Sequence, residues 1–177
     1  MSEQPEVPKR AFALLGDAAS RRVFLHKLAF YVTLEKRHLD DARSVETIYF
    51  DRSVYSLGSD ESVVDGGAYS GDTLRSFLQQ SKGNFRSYIA FEPDDVSFAR
   101  LESIAAADPA RISAVRAGLG QESASARIDG THGLDARVLG PHEPGGTEIP
   151  IVSLDDYFED RPSPTLIKLD IEGSEAA

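Results

Sequence analysis

The stretch Val63-Val64-Asp65-Gly66-Gly67-Ala68-Tyr69-Ser70-Gly71-Asp72-Thr73 constrains the fold of this chain more than any other. Two β-branched residues run into an acidic, glycine-rich turn. Glycine lets the backbone take left-handed dihedrals and approach a neighbour closely. A helix is predicted to follow at once, with Asp72 and Thr73 as caps for Leu74-Arg75-Ser76-Phe77-Leu78. Strand, turn and helix N-terminus in that order are what a ligand site in a doubly wound α/β sheet requires.

The glycine spacing narrows the ligand. A dinucleotide fingerprint has glycines at its first, third and sixth positions, whereas here they fall at 66, 67 and 71 with Asp65 directly before them. NAD is disfavoured. A P-loop is excluded because no Gly-Lys-Ser/Thr follows the turn. The acid-then-Gly-x-x-x-Gly form resembles motif I of S-adenosylmethionine-dependent methyltransferases, which wraps the amino-acid part of the cofactor. A tight strand-to-helix turn that holds no ligand is the alternative reading.

Two further segments extend the pattern. In Ser87-Tyr88-Ile89-Ala90-Phe91-Glu92-Pro93-Asp94 an apolar run ends in a carboxylate and a proline. Glu92 then sits about 20 residues downstream, where a ribose-binding acid is expected. A carboxylate suits two ribose hydroxyls because it only accepts and can engage two donors at once. The alternative is that Glu92 and Asp94 favour the N-terminus of the next helix, with Pro93 in its first turn. In Thr165-Leu166-Ile167-Lys168-Leu169-Asp170-Ile171-Glu172-Gly173-Ser174-Glu175, strand alternation puts Lys168 and Asp170 on one side and Ile167 and Leu169 on the other. A lysine buried without a partner is costly, so Lys168 is expected to face a wet pocket or pair with an acid. An edge strand blunted by charge is the competing reading.

With these segments and Ile151-Val152-Ser153-Leu154-Asp155, in this order, the chain resembles the FkbM family of methyltransferases. The likeness covers most of the chain from Glu61 onward. It implies an α/β, Rossmann-like methyltransferase fold, a mostly parallel sheet with helices on both faces. The implied cofactor is S-adenosylmethionine, and the implied reaction is O-methylation of a hydroxyl on a small molecule such as a sugar or natural product, by direct in-line transfer with a base removing the proton. Asp65, Gly67, Ala68, Tyr69, Gly71, Asp72 and Thr73 are then expected around the methionine end, Glu92 and Pro93 at the ribose, and Ala117 and Gly118 near the adenine. Lys168, Asp170 and Glu172 are the catalytic candidates, with His132 behind them. The chain stops at Ala177, whereas the family's domain continues, so C-terminal strands are expected to be missing. The strand ending at Asp170 is expected to pair with the strand containing Val64 and to leave an open edge prone to self-association. A cofactor-binding or interaction module without turnover is the alternative function.

Composition agrees with a single α/β domain preceded by an extension. The 177 residues fit one domain. A formal charge of −10 with no basic stripe argues against nucleic acid. An acidic pocket suits a sulfonium, since a carboxylate about 4 Å away gains up to about 4 kcal/mol at an effective dielectric of about 20, before desolvation. Cysteine is absent, which removes thiolate catalysis, disulfides and the cysteine-held cluster needed for radical use of this cofactor. No signal peptide and no apolar run long enough for a bilayer is seen, so a cytoplasmic enzyme is expected, with no membrane partner.

Along the chain, residues 1–57 read as a helical extension and connector, and 58–177 as the partial methyltransferase domain. Ala11 to Asp41 is predicted helical, starting at Asp17 or Ser20, with Phe24, Leu28, Tyr31 and Val32 on one packed face. Ile48-Tyr49-Phe50 and Val54-Tyr55 carry aromatics within reach of a ligand mouth. A helix from about Val96 to Ala106 and a strand at Arg111–Val115 continue the alternation that argues for a parallel sheet. Gln121–Pro150, with His132 and His142, reads as a loop or β-hairpin insertion. The four histidines show no metal-ligand spacing, and His26 and His38 read as solvated or packing residues. Two acids at one strand end, Asp170 and Glu172, are a thin basis for a divalent ion, so no metal is expected.

Overall fold

The structure is a computed structural model that describes residues 6–43, 49–50, 55–128, 139 and 144–171. The chain divides into two compact units, Met1–Ile48 and Tyr49–Ala177. Tyr49 and Phe50 thus fall in the second unit. Phe50 belongs to the core of the second unit, its ring tilted against that of Phe77 at 5.7 Å, and the Tyr55 hydroxyl donates to Glu61 Oε1.

Among its described residues the first unit holds three helices, α1 (Glu6–Leu14), α2 (Ala18–Thr33) and α3 (Arg37–Ala42), in and around the stretch predicted helical. Asp17 starts α2, its carboxylate accepting from the Ser20 N–H at 2.8 Å, as a short acceptor at the N-cap should. Leu34 ends α2 in the left-handed region, φ 58°, a place glycine usually fills. The expected apolar face is only half realised, with Phe24 and Leu28 half-buried but Tyr31 and Val32 exposed.

In the second unit, β1 (Ser62–Gly66), α4 (Asp72–Ser81), β2 (Ser87–Phe91), α5 (Asp95–Ala105) and β3 (Ile112–Val115) alternate as predicted. They are followed by β4 (Gly118–Leu119), β5 (Ala124–Ile128), β6 (Thr147–Val152), α6 (Leu154–Phe158) and β7 (Leu166–Leu169). Four strands form a parallel sheet in the order β3-β2-β1-β7. Two of the strands in a second, three-stranded sheet, β5 and β6, are antiparallel, which makes the predicted insertion a hairpin in its described parts.

Alternation along β1 and β2 builds two cores. Val63, Tyr88 and Ala90 face the helices and pack with Leu74, Phe77 and Leu101. Val64 and Phe91 face the other way, against Leu119, Val152 and α6, where Tyr157 meets Phe91 edge-on at 5.1 Å. Each fully buried large apolar side chain contributes about 1.5–3 kcal/mol. The three strands that matter most end on one rim, because Gly66 is in register with Phe91 on one side and with Leu169 on the other. The first residues past those ends are Gly67, Glu92 and Asp170.

Candidate ligand site at the strand ends

The glycine turn is fastened to its neighbours by backbone bonds. The N–H groups of Gly67 and Ala68 both donate to the Phe91 carbonyl, each at 3.0 Å, and Asp170 N–H donates to the Gly66 carbonyl at 3.0 Å. Gly67 has φ 70°, and a Cβ there would lie 2.0 Å from the Asp170 carbonyl oxygen. Gly71 has φ 79°, and a Cβ there would lie 2.6 Å from Ile104 Cδ1. The left-handed backbone favours glycine at both positions, and at Gly67 the Asp170 carbonyl also leaves no room for a side chain. Gly71, not Asp72 or Thr73, is the N-cap of α4, because only a left-handed residue brings the chain into the helix here; Asp72 is exposed in its first turn and Thr73 is buried.

Glu92 is almost completely buried at the tip of β2. Its Oε2 accepts from the Tyr69 N–H at 2.7 Å and its Oε1 from the Asp94 N–H at 2.9 Å. Tyr69 reaches this position with φ 48°, a strained value for a side chain of that size. Desolvation raises the Glu92 carboxyl above the usual range, against the two N–H donors that lower it. Asp94 does the work of a helix cap, accepting from the Ser97 N–H at 2.8 Å, and Pro93 is half-buried between them. Asp94, not Glu92, thus takes the helix-start role that the segment offered.

The Asp65 carboxylate, expected at the methionine end of a cofactor, is turned inward: the residue is 0 % exposed, Oδ2 accepts from the Tyr88 hydroxyl at 2.7 Å, and Oδ1 lies 2.9 Å from Lys168 Nζ. That last contact is an ion pair, since Oδ1 accepts no aligned hydrogen bond. Lys168 instead donates to the carbonyls of Gly67 at 2.8 Å and Gly66 at 3.2 Å. Its ammonium therefore has three acceptors around it, and it ties β7 to the glycine turn. Desolvation raises the Asp65 carboxyl, opposed by Lys168 and then Tyr88.

Asp170 is exposed on the rim. Its Oδ2 accepts from the Tyr49 hydroxyl at 2.8 Å, and the Tyr49 ring lies 5.3 Å from Lys168 Nζ. Partial burial and the Asp170 bond push the Tyr49 hydroxyl up to about 12. Tyr49 was legible only as an aromatic in a connector. Tyr88 was hidden inside an apolar strand, where the sole signal is that a buried tyrosine hydroxyl needs a partner.

Of the expected residues, Gly67, Tyr69, Glu92, Pro93, Lys168 and Asp170 thus gather where β1, β2 and β7 end, with the Asp65 carboxylate buried behind them. Gly118 opens β4, which pairs with Ile151 of β6, and a Cβ there would lie 2.8 Å from Ile151 Cδ1, so close packing accounts for that glycine. Ala117 is buried. Ile151-Val152-Ser153-Leu154-Asp155 is the turn from β6 into α6, with Ser153 as the cap. Glu172, His132 and His142 lie outside the described residues.

Comparison with known proteins agrees with this geometry. Residues 65–177 match the methyltransferase FkbM domain. No curated protein matches the sequence. A solved structure, methyltransferase FkbM from Methylobacillus flagellatus KT, superposes with a TM-score of 0.76 at 24% identity, covering 96% of this chain. The chain spans 42% of that protein's length. A match over more than half of its residues, on a Rossmann-like fold whose strand ends carry the motif, makes this chain a member of the FkbM methyltransferase family.

Proposed function

We propose that the chain carries the S-adenosylmethionine-binding half of a methyltransferase that acts on a hydroxyl of a small molecule such as a sugar or natural product. The observation that carries this reading is Glu92. Its two oxygens each hold one backbone N–H, and an ionised carboxylate offers about four acceptor sites. One acceptor direction per oxygen is left for the paired hydroxyls of a ribose. When bound, S-adenosylmethionine supplies an electrophilic methyl group on sulfur.

The chain's own residues hold and orient. Tyr69 and Asp94 N–H groups fix the Glu92 carboxylate for the ribose, and Lys168 acts as a positioning residue that locks the glycine turn against β7 through Asp65. Asp170, exposed and steadied by Tyr49, is the residue best placed to accept the hydroxyl proton of the acceptor. The Ile167 and Leu169 side chains, exposed on β7, support association of this chain through that strand.

Calorimetry on the purified chain tests the cofactor assignment. S-adenosylhomocysteine is expected to bind at one site and NAD to give no heat. Absence of heat with S-adenosylhomocysteine would overturn the reading.

A further inference from the structure

Outside the strand-end rim, the N-terminal unit gathers a second cluster that the sequence spacing conceals. His38 and Asp41 lie one turn apart on α3, on one helix face. His26 of α2 comes to meet them: its Nδ1 lies 3.8 Å from Asp41 Oδ2, and the two imidazole rings are 6.0 Å apart. One ligand atom from each of the three residues falls within 4.8 Å of the others. His38 Nδ1 is itself buried and, among the described residues, has no hydrogen-bond partner. A buried imidazole nitrogen without a partner is costly, and a metal ion is one of the few ligands that resolves the cost with an imidazole on its other side.

We propose that His26, His38 and Asp41 bind a divalent transition ion of the zinc class. Two neutral imidazoles and a carboxylate are a three-ligand set that leaves a fourth position open. With bonds of about 2.0–2.2 Å, ligand atoms of a four-coordinate zinc lie about 3.4 Å apart, so binding requires the observed set, now within 4.8 Å, to draw in by up to about 1.4 Å. Asp41 is exposed and His26 partly so, which gives the ion a path from solvent. Arg22 donates to the Asp41 carbonyl at 2.6 Å, fixing the end of α3 while leaving the carboxylate to the ion. The bound ion braces α2 against α3.

The test uses the full, tag-free chain, stripped with a chelator and titrated with zinc chloride in a calorimeter. One saturable ion per chain is expected, with binding weakened at least about tenfold in His26→Ala and in His38→Ala, and a melting temperature that rises with zinc and falls back with chelator. No saturable binding, or binding unchanged in both variants because His132 and His142 carry the ion, overturns the proposal. If a variant fails to fold by circular dichroism, the wild-type chain is labelled with diethylpyrocarbonate with and without zinc and mapped by mass spectrometry. Zinc is expected to protect His26 and His38 selectively; equal labelling in both conditions overturns the proposal.

Discussion

Glu92 and Asp65 are both carboxylates at the ends of neighbouring strands, and their surroundings give them different work. Glu92 keeps acceptor directions free, so Glu92→Ala is expected to weaken S-adenosylhomocysteine binding by more than ~1 kcal/mol, read by calorimetry. Unchanged affinity would remove its ribose role. Burial raises the Glu92 carboxyl above its ordinary value of 4.5. Ribose hydroxyls donate to the ionised form, so affinity is expected to rise as pH climbs above 4.5 through that raised value, and the rise should vanish in Glu92→Gln. Stability moves the other way: a carboxyl raised in the folded state contributes fully below its unfolded value, and that contribution is lost as pH climbs through the folded one. Asp65, by contrast, is a buried anion balanced by one cation. Lys168→Met should cost about 3–5 kcal/mol in urea unfolding, and adding Asp65→Asn should restore much of it. Glu92 was legible because a strand, a carboxylate and a proline follow one another in sequence. The hold of Lys168 and Tyr88 on Asp65 was not, since nothing local says which of several acids a buried cation will meet.

Among elements, the glycine turn answers to a neighbouring strand as well as to its own strand and helix. Its strand and helix lie where the β-branched run and the Leu74–Leu78 segment put them, but the turn is tight because β1 and β7 touch. Gly67→Ala should therefore destabilise by more than ~2 kcal/mol, combining left-handed backbone strain of about 1–2 kcal/mol with displacement of the Asp170 carbonyl. Gly83 is the control: its φ is 77° but nothing lies within 4 Å of a Cβ, so Gly83→Ala should cost only the backbone part. Urea midpoints that moved equally in the two variants would refute the contact. The break between α2 and α3 was illegible because Leu34, a good helix former, occupies the left-handed end of α2. The start of α2 at Asp17 was one of the two that the sequence offered, since a capping acid marks it.

For the whole molecule, the parallel sheet followed from the alternation of strands and helices, and the pairing of β7 with β1 followed from the family resemblance, whereas the place of β3 beside β2 comes from the structure. Among the described residues β7 pairs with β1 alone, and Ile167 and Leu169 are exposed on it. Sedimentation velocity is expected to show concentration-dependent association that Ile167→Lys suppresses; a single species at every concentration would refute self-pairing through this strand. The burial of Lys168 also gives the protein a chemical reporter. Of its five lysines, Lys9, Lys27, Lys36 and Lys82 are exposed, while the side chain of Lys168 is 10% exposed and pinned to two carbonyls. Amine acylation followed by peptide mapping should mark the first four within one short pulse and Lys168 only when the seam between β1 and β7 parts, so the slow labelling of one amine becomes a clock for local opening at the strand ends.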